Sequence, residues 1–134
     1  MKTKKILFAF FTTLIMMGLG ISMHAQDAAK PASGISWKST TIDLGKIEKG
    51  KPVTVDFELT NPSMVPLIIN DVRPSCGCTA ANFPKEPVAP GKTAKISITY
   101  NAASTGAFTK STAVYTNAAE GNSTLIIKGE VLSN

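Results

Sequence analysis

From residue 35 onward the chain alternates apolar and polar positions with a period of two. Val53, Val55, Phe57 and Leu59 interleave with Thr54, Asp56, Glu58 and Thr60, the pattern of a strand with one buried face. Ala94, Ile96, Ile98 and Tyr100 repeat it against Lys95, Ser97 and Thr99. Residues 108–116, and the set Leu125, Ile127, Gly129 and Val131, predict two further strands. Residues 65–72 form a more continuous apolar run, which predicts a more fully buried strand. Short pieces at 35–37, 41–44 and 79–83 accompany them, eight candidate segments for a domain expected to hold about seven strands.

Turn residues separate these segments. Glu48-Lys49-Gly50-Lys51, Asn61-Pro62-Ser63, residues 102–106 and residues 117–122 each stop a strand. Pro84, Pro87 and Pro90-Gly91 predict a stiff loop with no interior strand, because proline donates nothing to a ladder. Helical periodicity is absent beyond residue 35, apart from one candidate turn at Ala118-Ala119-Glu120. Short strands with a turn about every ten residues predict an all-β, antiparallel β-sandwich. A closed barrel is the alternative.

The N-terminus follows a different pattern. Lys2, Lys4 and Lys5 precede an almost wholly apolar run at residues 6–19, and Ala25 precedes polar Gln26. This is the layout of an export signal spanning 1–25. The run is short of the ~20 apolar residues that a membrane span needs. The expectation is cleavage that leaves no integral membrane segment; a retained membrane anchor is the alternative. Residues 26–34 carry Ala, Pro and Ser without a period and read as a flexible leader, so 35–134 is the folded domain. Removing residues 1–25 from the 134 leaves 109, enough for one ordinary domain.

The charge balance changes with the signal. The formal net charge is +5, and three of those charges are the signal lysines, which leaves +2. No basic patch with interleaved aromatics is present, so nucleic acid is not an expected partner.

Catalytic chemistry is sparse. The single histidine, His24, lies before the expected cut, so the mature chain lacks the base of a Ser-His-Asp or Cys-His pair. It also lacks the commonest metal ligand. Asp56 and Glu58 sit on the polar face of a strand and read as solvated charges. Asp43, two residues before Gly45, reads as a turn residue. Trp37, the only tryptophan, reads as core.

One stretch stands apart. Arg73-Pro74-Ser75-Cys76-Gly77-Cys78-Thr79 holds both cysteines of the chain, separated by one glycine, in a proline- and glycine-marked turn. An exported chain meets an oxidising compartment, where a bridge persists. Residues two apart can reach the Cα separation of ~4.4–6.8 Å that a disulfide spans. The chain-entropy gain from so small a ring is at most ~1.6 kcal/mol, before strain is subtracted. Strain eases reduction, since ~30 mV corresponds to ~1.4 kcal/mol, so such a bridge would be of the redox-active kind. Two thiolates on one turn also suit Cu(I), and Arg73 is near enough in sequence to lower a thiol pKa. The third reading is structural: cysteine is small and readily buried, and Gly77 supplies a positive φ. Arg73, Ser75, Gly77 and Thr79 are the residues expected to support the site around Cys76 and Cys78.

Several blocks together resemble the exported bacterial family DUF1573. They are Asp43-Leu44-Gly45-Lys46-Ile47, Leu59-Thr60-Asn61, Pro66-Leu67-Ile68-Ile69 and Ser75-Cys76-Gly77-Cys78-Thr79. Val88-Ala89-Pro90-Gly91, Ile96-Ser97-Ile98-Thr99-Tyr100, the block Thr105-Gly106-Ala107-Phe108-Thr109-Lys110 and Gly129-Glu130-Val131 follow in order. The resemblance implies an immunoglobulin-like sandwich and assigns no activity. The expectation is a non-catalytic module of the periplasm or cell envelope that binds another envelope protein by strand pairing. The alternative is a thiol-redox or Cu(I)-binding protein acting through Cys76 and Cys78.

Overall fold

The computed structural model describes residues 34–133. The expected export signal at 1–25 and all of the expected leader except Gly34 lie outside the described residues. Eight strands follow: β1 Ser36–Trp37, β2 Thr41–Glu48, β3 Val53–Thr60, β4 Ile69–Pro74, β5 Thr79–Asn82, β6 Thr93–Tyr100, β7 Gly106–Thr116 and β8 Asn122–Leu132. They form two four-stranded sheets, ordered β1-β3-β6-β5 and β2-β8-β7-β4. The fold is the predicted immunoglobulin-like sandwich, with one strand more than the expected seven.

The period-two pattern builds the core between the sheets. Phe57 and Leu59 of β3, Ile96 and Ile98 of β6, Val114 of β7, and Leu125, Ile127 and Val131 of β8 are all buried. Each such side chain contributes about 1.5–3 kcal/mol when taken out of water. Phe108 and Tyr100 stack across the core with ring centroids 4.3 Å apart. Trp37 lies half-buried against the core, and its indole donates to Ser123 Oγ at 3.1 Å, linking β1 to the opposite sheet.

Two features depart from the sequence reading. β2 runs parallel to β8, whereas every other strand pair is antiparallel. β2 reaches its sheet by crossing from β1, not through a hairpin, so no tight turn fixes its direction. Its pairing is interrupted between Asp43 and Lys46 by a bulge. There Gly45 adopts a φ of 65° and donates its amide to Asp43 Oδ1 at 2.8 Å, so Asp43 is a turn residue as expected.

The second departure concerns residues 65–72. The strand begins only at Ile69, and Met64, Val65 and Ile68 are 83%, 53% and 40% exposed. Pro62 and Pro66 remove donors from this segment, and Asn61 organises it as a loop. Asn61 is 1% exposed. Its Nδ2 donates to the carbonyls of Val65 at 2.8 Å and Val88 at 2.9 Å. Its Oδ1 accepts from the Ser63 amide at 3.0 Å and the Ser63 hydroxyl at 2.7 Å. Leu67 then forms a single bridge with Val88, inside the proline-rich loop that otherwise carries no strand.

Candidate functional site

The cysteine turn is a corner where the chain changes sheets. β4 is the edge of one sheet and β5 the edge of the other, and residues 75–78 join them. Main-chain bonds hold the corner at both ends. The Ser75 amide donates to Ser111 of β7 at 2.9 Å, and the Asn101 amide donates to the Cys78 carbonyl at 3.0 Å. The Thr79 amide closes the turn on the Cys76 carbonyl at 3.4 Å.

The two sulfurs are bonded to each other, with Cα atoms 5.3 Å apart. Both cysteines are half-buried, and Gly77 between them is exposed. Gly77 is not among the positive-φ glycines, and a Cβ added there would meet nothing within 4 Å. The turn therefore does not need glycine for its backbone angle; glycine leaves its outer surface bare. Thr79, the first residue of β5, is buried at 6% exposure. Its hydroxyl oxygen lies 3.7 Å from Cys76 Sγ and 3.8 Å from Cys78 Sγ.

Arg73 is engaged by Asp71 and Tyr115. Its Nε donates to Asp71 Oδ2 at 2.5 Å, and its guanidinium stands 5.2 Å from the centroid of the Tyr115 ring. The bond to Arg73 holds the Asp71 carboxyl below the usual carboxylate range, and Asp71 raises Arg73 in return. Among the described residues no three His, Cys, Asp or Glu side chains converge.

The two flanks of the sandwich differ in their open backbone groups. The N–H and C=O of one residue in an antiparallel strand point to the same side, and successive residues alternate. On the cysteine flank, the bond from Ser75 to β7 sets Val72 and Pro74 facing outward. Asp71 Oδ1 accepts the Val72 amide at 2.9 Å, and Pro74 has no amide hydrogen. In β5 the outward Thr79 amide is used inside the turn, Ala81 leaves a single outward amide, and Pro84 follows shortly after the strand ends. Such capped, short, proline-blunted edges resist further pairing.

The opposite flank is less protected. β1 covers only the end of β3, through Ser36 opposite Thr60 and Trp37 opposite Leu59. The Lys38 amide donates to the Glu58 carbonyl at 3.0 Å, and the chain then leaves for the other sheet. Alternation from Glu58 points the amides and carbonyls of Asp56 and Thr54 outward, and among the described residues none is seen to pair with them. Beside them lies a shallow groove of about 200 Å³ lined by Lys38, Ser39, Ile42, Asp56, Phe57 and Glu58. The neighbouring edge, β2, is broken by its bulge, and its Thr41 amide is taken by Ser39 Oγ at 3.3 Å. The period-two pattern of β3 gave no hint of this open stretch, because it depends on where β1 stops.

The family described as a protein of unknown function, DUF1573, matches residues 35–131. The chain belongs to the DUF1573 family. No curated protein matches it. Among solved structures, a DUF1573 chain of this shape is similar to a protein of unknown function from Porphyromonas gingivalis W83, with a TM-score of 0.65 and 17% identity over 72% of this chain and 46% of that one. It is similar to the Vibrio cholerae VesB protease, with a TM-score of 0.62 and 17% identity over 72% of this chain and 32% of that one. The ASH / PapD-like domain 7 of human CEP192 gives a TM-score of 0.60 at 12% identity, covering 76% of this chain and 87% of that domain. The chain thus spans under half the length of the first two proteins, and at these identities the likeness is one of fold.

Proposed function

We propose that this DUF1573 protein is an exported, non-catalytic module that binds an extended segment of another cell-envelope protein by adding a strand to the open edge of β3. The observation that carries this reading is the inequality of the two flanks. On the cysteine side Val72, Pro74 and Thr79 present no free outward amide and Ala81 presents one, whereas among the described residues Thr54 and Asp56 present two amides and two carbonyls side by side on the other. A pairing segment gains affinity from these main-chain bonds, and the groove at Ile42 and Phe57 receives one of its side chains. An immunoglobulin-like sandwich in which no three His, Cys, Asp or Glu side chains converge among the described residues supports a binding role over turnover.

The test replaces the edge donors. Thr54→Pro and Asp56→Pro each remove an amide that faces away from β6, so the folded state is retained. Capture of an envelope partner by the wild-type protein and its loss in both variants, with melting temperatures kept, is the expected result. Capture unaffected by both prolines would refute the edge assignment.

A further inference from the structure

We infer that the Cys76–Cys78 disulfide is an exchangeable two-electron acceptor for partner thiols, with the Thr79 hydroxyl holding the departing thiolate. This does not depend on strand addition, which uses the opposite flank. Four observations lead to it. The corner is fixed by its bonds to Ser111 and Asn101 and by the Thr79–Cys76 turn, so its shape does not require the covalent link. The ring spans only three residues and adds little chain-entropy stabilisation. The sulfurs are half-buried beneath an exposed Gly77 whose outer side is open, which gives an incoming thiolate a path. Thr79 is buried, and its hydroxyl is almost equidistant from the two sulfurs, at 3.7 Å and 3.8 Å. With both sulfurs in a disulfide, neither carries a proton, so the hydroxyl is the donor in these contacts.

The exchange proceeds in two displacements. A thiolate of the reductant attacks one sulfur and forms a mixed disulfide. The Cys76–Cys78 bond breaks, and its electron pair leaves on the other sulfur. That thiolate accepts the Thr79 hydroxyl as a hydrogen bond and then takes a proton from solvent. A second reductant thiolate attacks the reductant sulfur of the mixed disulfide and releases the remaining cysteine as a thiolate, which is protonated in turn. Two partner thiols become one disulfide, and the protein disulfide becomes two thiols. The sequence holds no third cysteine to divert the intermediate.

The experiment titrates the folded protein with mixtures of reduced and oxidised glutathione, quenches with an alkylating agent and reads intact mass. The expected result is addition of two alkyl groups without denaturant, with the reduced protein keeping a cooperative melt. Alkylation only after denaturant is added would overturn the proposal, as would loss of the fold on reduction. Thr79→Val is expected to slow reduction by glutathione about fivefold, the scale of one lost hydrogen bond, and Thr79→Ser to restore the rate. A Thr79→Val rate equal to wild type would overturn the role given to the hydroxyl.

Discussion

Phe108 lays its ring over the bare backbone of Gly129, its direct partner across the β7–β8 ladder. A Cβ at position 129 would stand 2.9 Å from Phe108 Cζ and 2.7 Å from the carbonyl oxygen of Gly45. The Gly45 contact is the harder one, because it belongs to the backbone of the β2 bulge and cannot rotate away. Gly129 is therefore required by space, not by backbone angle, and it lets the bulge and the aromatic stack approach the same point.

Gly129→Ala is expected to destabilise the fold by about 1–3 kcal/mol, the range for overpacking a filled core. Phe108→Ala relieves one of the two clashes but loses the stack on Tyr100, at a cost of about 3–5 kcal/mol. Urea denaturation of the two single variants and the double variant checks this. The double variant is expected to be less destabilised than the sum, since the removed ring is one of the atoms the new methyl meets.

Asn61 holds the loop between β3 and β4 with four hydrogen bonds, all made by one buried amide group. Asn61→Ala removes all four bonds; the Val88 carbonyl keeps the Leu67 amide and the Val65 carbonyl keeps the Ser63 hydroxyl, so the cost is that of the lost bonds, about 0.5–1.5 kcal/mol each. The expected outcome is a lower denaturation midpoint, with faster amide exchange at Leu67 and Val88, whose reciprocal bonds of 2.9 Å and 2.7 Å lie next to it. Unchanged exchange at these two amides would show that the bridge stands without Asn61.

The Asp71 carboxylate serves two donors, the Val72 amide and Arg73, and Arg73 is the larger cause of its lowered pKa. A carboxyl whose folded pKa lies below its unfolded value of 3.8 adds stability above that value. This contribution disappears as pH falls through the lower folded pKa. The difference in stability between the wild type and Asp71→Ala is thus expected to be present at pH 7 and to shrink toward zero in strong acid. Denaturation midpoints at pH 7 and near the acid limit test this. The same variant uncaps the outward Val72 amide, so its exchange is expected to accelerate at neutral pH.

The sequence alone determined which side chains face inward, because a strand's two faces alternate residue by residue and the pattern is local. Phe57, Leu59, Ile96, Ile98, Leu125 and Ile127 could be assigned to the core in this way. The cysteine turn was equally legible, since its proline, glycine and close cysteines are neighbours in the chain. Only the tertiary structure decided that β2 runs parallel to β8, that Asn61 anchors a loop through Val88, and that Thr79 lies between both sulfurs. It also decided that β1 ends at Trp37 and, among the described residues, leaves Thr54 and Asp56 open. These features depend on which distant segments meet and where a neighbouring strand stops, and alternation along one strand carries no record of either.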